Sequence, residues 1–166
     1  IILGKKITLR ERLILQDAMN TFNIQGLVKM VKYVLVFTVS VQFFGALLLS
    51  TQFIPEFGFG KGAFYSLFHS ISAFCNAGFD VLGKGNSLIS FNTNVVVIMV
   101  LSILIIIGGL GFTVWSELYT CKSIRRVSIH SKMVLLITTG LVVGGTLLMF
   151  LFEHNNPQTI SKMSFI

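Results

Sequence analysis

Charge is scarce in this sequence. Charged residues make up 11% of its 166 residues, whereas typical soluble domains carry about 25%. A chain with so little charge cannot surround an apolar core with a polar surface, so most of it is expected to lie in lipid. The aromatic residues agree with this, because sixteen Phe accompany one Trp and three Tyr, and Phe has no polar atom to satisfy. The composition therefore excludes an ordinary soluble domain and predicts an all-α integral membrane protein.

Residues that carry chemistry are scarce as well. Cys75 and Cys121 are the only cysteines, and three histidines stand singly at positions 69, 130 and 154. The sequence contains no phosphate loop, no Ser/His/Asp set, no intramembrane acid/base pair and no Cys/His cluster with metal-ligand spacing. We therefore expect no enzymatic activity, no disulfide, no bound cofactor and no metal site of the Cys/His type.

Long uncharged runs are what the sequence has in their place. Residues 33–53, 95–114 and 133–152 are apolar and contain no full charge. Each reaches the roughly 20 residues that a helix needs to cross a bilayer. A fourth apolar piece, 63–79, is shorter and is interrupted by serines, His69 and Asn76, so it differs in kind from the three spans.

The basic residues indicate how these segments are arranged. The net charge is +7, and ten of the thirteen Lys and Arg fall in two clusters. Six precede or open the first span (Lys5, Lys6, Arg10, Arg12, Lys29 and Lys32), and four lie between the second and third spans (Lys122, Arg125, Arg126 and Lys132). Both clusters are cytoplasmic under the positive-inside rule only if 63–79 begins and ends on the outer side. Membrane topology thus accounts for most of the charge without nucleic acid, and predicts a re-entrant segment. The alternative is that 63–79 lies flat on the outer surface.

Residues 71–80 are the stretch with the clearest chemical meaning. We expect a helix over 64–74 that ends near Cys75 and an extended return from Cys75 to Phe79. A helix that descends into the membrane directs its negative C-terminal end toward a cation, and the returning strand can aim carbonyl oxygens at one axis, as potassium filters do. Gly78 suits such a strand because it adopts positive φ without penalty. In isolation, a glycine after Asn-Ala is also typical of a simple turn.

Several neighbouring residues have two interpretations each. Asp80 either concentrates cations at the outer mouth of a pore or caps a loop. We expect His69 to be a packed, hydrogen-bonded residue rather than a ligand. The glycines at 108, 109, 111, 140, 144 and 145 are expected to permit close helix packing or a bend, and a gating role for Gly108, Gly109 and Gly111 stays open.

The N-terminal region adds a weaker signal. Thr8 and Glu11 fit a capping box, and the residues after Thr8 alternate in a way that predicts a short amphipathic helix. Such a helix either lies on the membrane surface or docks a soluble partner. Because the chain starts without Met, we expect it to be a fragment of a longer polypeptide.

The strings SAFCNAGFD at 72–80 and GGLGF at 108–112, with LGKKITLRERL at 3–13, resemble the membrane subunits of the Ktr/Trk/HKT potassium-transporter superfamily, most closely the KtrB type. The resemblance implies four helix–pore loop–helix repeats around one pseudo-fourfold cation pore, each with a re-entrant pore helix. This chain would then hold a connector at 1–28, the complete second repeat at 29–119, a cytoplasmic loop at 120–132, and the first helix and outer loop of the next repeat at 133–166.

The resemblance also implies roles for individual residues and partners. The family's filter glycine maps onto Gly78, and the backbone carbonyls of Cys75, Asn76, Ala77, Gly78 and Phe79 would bind K⁺, with Asp80 at the outer mouth. Family members form homodimers on a ring of nucleotide-binding, KtrA-like subunits in the bacterial cytoplasmic membrane. The segments 1–25 and 119–132 would face that ring.

The function expected from these observations is potassium uptake through a multi-pass membrane protein, either channel-like or coupled to Na⁺. Two alternatives remain at the level of sequence. One is a less selective or sodium-preferring cation channel, and the other is a non-conducting membrane assembly subunit in which 63–79 is a structural loop.

Overall fold

A computed structural model of the protein describes residues 27–82, 87–121 and 127–153. Within these ranges the regular structure is helical: α1 (Leu27–Phe57), α2 (Phe59–Phe74), a 3₁₀ turn (Ser87–Phe91), α3 (Val95–Gly109), α4 (Phe112–Cys121) and α5 (Ile129–Glu153). The expected amphipathic N-terminal helix and the greater part of the expected connector lie outside the described residues.

Two of the helices are long and apolar enough to cross a membrane by themselves. They are Met30–Phe57 within α1, and α5, which confirms the first and third apolar runs as span candidates. The second run, 95–114, contains α3 and the first residues of α4. These two helices meet at an angle of 89° and count as a third candidate only if they form one broken span.

The bend between α3 and α4 occurs at Gly111, whose φ is +83°. That conformation is costly for residues with a side chain, so glycine is the residue expected there. The indole N–H of Trp115 reaches back across the bend and donates to the carbonyl of Ile107 at 2.9 Å. This bond satisfies one of the carbonyls that a helix end leaves without an intrahelical partner. Of the two interpretations for the glycines, a bend therefore applies to Gly111.

α1 and α2 form an antiparallel hairpin joined at Gly58. A Cβ on Gly62 would lie 2.6 Å from Cα of Ile54 and 2.7 Å from the carbonyl oxygen of Phe53, so the two backbones touch there. Farther along α2, the hydroxyl of Ser70 donates to the carbonyl of Gln42 at 2.7 Å. α2 therefore returns along α1 only as far as the neighbourhood of Gln42, about half the length of α1.

α3 begins at the same end of α1 as α2 does. Its N-cap residue, Asn94, accepts a hydrogen bond from the backbone of Val97 at 3.2 Å and donates one to the side chain of Gln52 at 2.8 Å. A small core closes this end, formed by Leu49, Phe53, Phe91 and Val97. Residues 58 and 94 thus lie near the same end of α1, and α1, α2 and α3 each pack against the other two.

α5 is joined to α4 by one carboxylate. Glu117 Oε2 accepts hydrogen bonds from the Ser128 hydroxyl at 2.8 Å, from the Ser128 backbone N–H at 3.1 Å and from the fully buried Ser131 hydroxyl at 2.7 Å. A carboxylate at the start of a helix is also favoured by the helix dipole. Most of the large apolar side chains of α5 are exposed, as expected for a helix surrounded by lipid or by further segments of a longer protein.

Replacement of Glu117 by alanine is expected to destabilise the junction between α4 and α5. Three hydrogen bonds to one carboxylate would be lost, and we expect a cost of about 1–2 kcal/mol after screening by solvent. The measurement is the apparent melting temperature of the complete protein in detergent. Thr120→Ala is the matched control, because the Thr120 hydroxyl bonds, among the described residues, to the Ser116 carbonyl of its own helix. Equal melting temperatures for the two variants would contradict the expectation.

Candidate functional site

The candidate site begins where α2 ends, in a left-handed turn. Cys75 has φ −78° and ψ 0°, and Asn76 has φ +52°. The N–H of Asn76 donates to the carbonyl of Ala73 at 3.1 Å, and the N–H of Ala77 donates to the carbonyl of Ser72 at 2.9 Å. These two bonds form a Schellman motif, in which asparagine is one of the few residues that tolerate the left-handed position.

This turn corrects the expectation of an extended strand from Cys75 to Phe79. Cys75 and Asn76 belong to the helix cap, and the non-helical return begins at Ala77. The expected end of the helix near Cys75 is confirmed, whereas its start is Phe59 rather than residue 64. The physical reason is that the last carbonyls of α2 find their partners in the cap, and the cap requires two further residues of the chain.

Gly78 lies in the return segment, which comprises residues 77–80 after the helix cap, and has φ +69°. The expected positive φ is thus confirmed. A Cβ at this position would meet nothing within 4 Å among the described residues. Gly78 is therefore required by its backbone conformation and not by a shortage of space, and its missing side chain leaves one face of the segment open.

Phe79 is fixed to α2 by the hydroxyl of Ser72. Ser72 Oγ donates to the Phe79 carbonyl at 2.9 Å and accepts from the Phe79 N–H at 3.0 Å. The Ser72 side chain is buried, and its one hydroxyl engages both backbone groups of the same residue. The phenyl ring of Phe79 remains 70% exposed.

His69 and Asp80 form a second link between α2 and the return segment. His69 Nδ1 lies 2.8 Å from the Tyr65 carbonyl, and because a carbonyl can only accept, Nδ1 carries a hydrogen. Nε2 lies 3.1 Å from Asp80 Oδ1, so this contact needs one proton on either the ring or the carboxyl group. Asp80 Oδ1 also accepts from the backbone N–H of Leu82 at 2.9 Å.

These contacts define the surroundings of His69 and of Asp80. His69 is 2% exposed and bonded at both ring nitrogens, which confirms it as a packed, hydrogen-bonded residue. Asp80 caps the loop that follows it, and its side chain is 25% exposed.

α3 approaches the end of α2 at Gly108. A Cβ on Gly108 would overlap the carbonyl oxygen of Phe74, the last residue of α2. The adjacent Gly109 is less tightly packed, since a Cβ there would lie 3.8 Å from the Asn76 amide nitrogen. Close packing is therefore confirmed for Gly108. Gly140, Gly144 and Gly145 have no such neighbour among the described residues.

A cavity of about 230 Å³ separates the return segment from α3. Its walls include polar groups of α2 and of the segment, and apolar side chains of α3 (His69, Ser72, Asn76, Asp80, Leu101 and Ile105). The side-chain amide of Asn76 lies 3.5 Å from the Ile105 carbonyl across this region. Side-chain links from α2 therefore hold the segment in place more than packing against α3 does.

The structure thus brings residues 75–80 together at the end of α2, as the sequence predicts. Sequence reasoning missed three features: Asn76 as a helix-cap residue, Ser72 as a hydrogen-bonding partner of Phe79, and Gly108 as the contact for the end of α2. The left-handed preference of asparagine after a helical run is a usable sequence signal for the first. The other two connect positions 7 and 34 residues apart in the chain and leave no local pattern.

Comparisons with known proteins identify relatives of the chain. A family model described as TrkH, cation transport protein, matches residues 2–151. The potassium/sodium uptake protein NtpJ of Enterococcus hirae is 45% identical over 161 residues, which are 97% of this chain and 35% of that protein. The Ktr system potassium uptake protein B of Bacillus subtilis is 38% identical over 165 residues, or 99% of this chain and 37% of that protein. The protein of the same name from Vibrio alginolyticus is 36% identical over 163 residues, or 97% and 35%. The chain therefore spans little more than a third of the length of these relatives.

Proposed function

Because the chain belongs to the TrkH family of cation transport proteins, we propose that it is the part of a potassium uptake protein that supplies one of four filter segments to a pore. In this proposal residues 29–119 form one helix–pore loop–helix repeat, with α1 and α3 as its outer helices and α2 as its pore helix. Residues 1–28 connect it to a preceding repeat, 120–132 form a cytoplasmic loop, and 133–166 open the next repeat.

One observation carries the proposal most directly. The segment after α2 contains Gly78, which has φ +69° and no described atom within 4 Å of the position of a Cβ. The segment leaves α2 near the midpoint of α1. α2 contains 16 residues, about 24 Å at 1.5 Å per residue, which is short of the roughly 30 Å of a bilayer core. Both ends of the chain section from 58 to 94 lie near one end of α1. This is the arrangement expected of a loop that enters a membrane and leaves on the same side.

The chemistry proposed for this segment is the replacement of water around K⁺ by backbone carbonyl oxygens. The carbonyls of Cys75, Asn76, Ala77, Gly78 and Phe79 are the candidates, with Asp80 at the outer mouth. The C-terminal end of α2 adds a favourable dipole for a cation. No covalent step is involved, so the protein is a transporter and not an enzyme. Movement of K⁺ would follow electrochemical gradients, with or without Na⁺ as a coupling ion.

The partners belong to the proposal as well. The names of the relatives from Bacillus subtilis and Vibrio alginolyticus include a Ktr system, which supports an assembly of more than one component. We propose a homodimer in the bacterial cytoplasmic membrane, bound to a KtrA-like ring of nucleotide-binding subunits. The basic segments 1–25 and 119–132 would face the ring. The first of them and residues 122–126 of the second lie outside the described residues.

Substitution of Gly78 by serine tests the proposed filter. Serine is expected to fit sterically, since the position is open, but to disfavour φ +69° by about 1–2 kcal/mol. Loss of this backbone conformation would displace the neighbouring carbonyls. An energy difference of this size corresponds to a roughly tenfold loss of discrimination between K⁺ and Na⁺. The measurement is potassium-limited growth, with and without Na⁺, of cells that lack their own potassium uptake and express the complete protein with its partner subunit.

Gly58→Ser is the matched control for this experiment. Gly58 has a similar φ of +78° and an equally open surrounding, but it joins α1 to α2 at the opposite end of the hairpin. If backbone strain alone matters, the two variants will behave alike, and the proposed filter is wrong. If only Gly78→Ser becomes sensitive to Na⁺, the proposal is supported. A wild type that takes up both ions would favour the alternative of a less selective cation channel, which fits the name of the Enterococcus hirae relative, potassium/sodium uptake protein.

A further inference from the structure

The orientation of the Phe79 carbonyl distinguishes it from the carbonyls before it. It accepts a hydrogen bond from the Ser72 hydroxyl at 2.9 Å, and Ser72 belongs to α2. A carbonyl that accepts from α2 is aimed at α2, and it is occupied by this bond. The N–H of the same residue is bonded to the same hydroxyl, so Phe79 cannot rotate its peptide groups without breaking both bonds.

The next residue is fixed to the same helix. Asp80 is linked to the buried His69 ring at 3.1 Å, and the His69 ring is itself held by the Tyr65 carbonyl at 2.8 Å. The two links are three residues apart on α2, about one turn of helix, and they hold consecutive residues of the return segment. The cavity between this segment and α3 means that little packing supports the segment from the other side.

We propose that Ser72 is a positioning residue that sets the outer limit of the filter at Gly78. The hydroxyl turns the Phe79 carbonyl toward α2, so that Phe79 contributes no ligand to K⁺ and the row of ion-facing carbonyls ends one residue earlier than the sequence suggests. The contact with His69 holds Asp80, the residue after Phe79, and keeps this limit of the filter fixed. The inference rests on the proposed function, since it concerns the same filter segment.

Ser72→Ala tests this inference in the complete protein with its partner subunit. The variant removes the hydroxyl, so Phe79 loses both bonds that hold its backbone to α2, and the outer end of the filter is no longer fixed. We expect the KM for K⁺ uptake to rise roughly fivefold, and the ratio of K⁺ to Na⁺ uptake to fall by a similar factor. Ser72→Thr keeps a hydroxyl and is expected to restore the ratio.

Ser66→Ala is the matched control on the same helix. Ser66 is 1% exposed, and its hydroxyl bonds to the carbonyl of Gly62 one turn earlier, away from the filter segment. A general loss of helix stability would affect both alanine variants alike and would lower their membrane abundance without changing the K⁺ to Na⁺ ratio. If Ser72→Ala and Ser66→Ala have the same KM and the same ratio, the inference is wrong.

Two further variants keep the outcomes distinct. If Ser72→Ala does not accumulate in the membrane, Ser72→Cys takes its place, because it nearly preserves size while forming only weak hydrogen bonds. An unchanged ratio in that variant also overturns the inference. Gly78→Ser is measured in parallel. If Gly78→Ser alters the ratio while the Ser72 variants do not, the proposed filter is supported and the role of Ser72 is wrong. If none of these variants alters the ratio, the proposed filter itself is wrong.

Discussion

Potassium uptake is expected to be lost when Gly108 is replaced by alanine. The added Cβ would overlap the carbonyl oxygen of Phe74, which is a backbone atom at the last position of α2 and cannot rotate away as a side chain can. α3 and the end of α2 would have to separate, and the displaced helix end would carry residues 75–78 with it. Overpacking of this kind typically costs about 1–3 kcal/mol, more than the roughly 1 kcal/mol that alanine gains over glycine in a helix.

The adjacent glycine supplies the control for this prediction. A Cβ on Gly109 would be in ordinary contact, 3.8 Å from the Asn76 amide nitrogen, so Gly109→Ala is expected to retain uptake close to that of the wild type. Both variants receive the same substitution in the same turn of α3. The measurements are membrane abundance and K⁺ uptake of the complete protein. Loss of uptake in both variants, or in neither, would show that the contact between Gly108 and Phe74 is not what positions the filter segment.

Replacement of Gly62 by alanine is expected to have the largest effect on folding. The Cβ would lie 2.6–2.8 Å from three backbone atoms of Phe53 and Ile54, so relief requires α1 and α2 to move apart. Phe53 is fully buried, and its ring centroid lies 4.9 Å from that of Phe91 and 5.6 Å from that of His69. Separation of the helices would therefore open the small core as well as the hairpin, and we expect a loss of about 3 kcal/mol or more.

The test for Gly62 measures protein rather than transport. Gly62→Ala should lower both the membrane abundance and the apparent melting temperature of the complete protein. Gly60→Ala, two residues earlier on α2, is the control, because a Cβ there would meet nothing within 4 Å of the described residues and alanine has the higher helix propensity. Equal abundance of the two variants would mean that the hairpin tolerates a wider separation than the structure has.

The glycines illustrate how far the sequence could be interpreted. Their frequency in the apolar runs indicated close packing or bending, but it could not separate Gly108, which packs, from Gly111, which bends, or from Gly140, which has no close neighbour among the described residues. Gly62, with the tightest backbone contact between α1 and α2, lies outside the apolar runs that are candidate spans. Whether a glycine packs closely or lies open depends on which face of its helix contacts another element, and the arrangement of the helices determines that face.

The return segment also has features that the sequence predicted and features that it did not. The local sequence predicted a helix that ends near Cys75 and a positive φ at Gly78, and both are properties of a few consecutive residues. It did not predict that Asn76 belongs to the cap or that the Phe79 carbonyl is bonded to Ser72. Those features depend on the direction in which the chain leaves α2, which local propensities leave open because several exits from a helix are similar in energy.

The sequence by itself therefore determined that this protein lies in a membrane and which runs are candidate spans. These properties follow from the transfer of individual side chains between water and lipid, and such transfer is nearly independent of the rest of the fold. The tertiary structure alone decided the 89° bend, the contact between Gly108 and Phe74 and the links from Ser72 and His69 to the return segment. Each of these joins residues that are distant in the chain or on separate elements, and their meeting depends on helix register and close packing, to which hydropathy is insensitive.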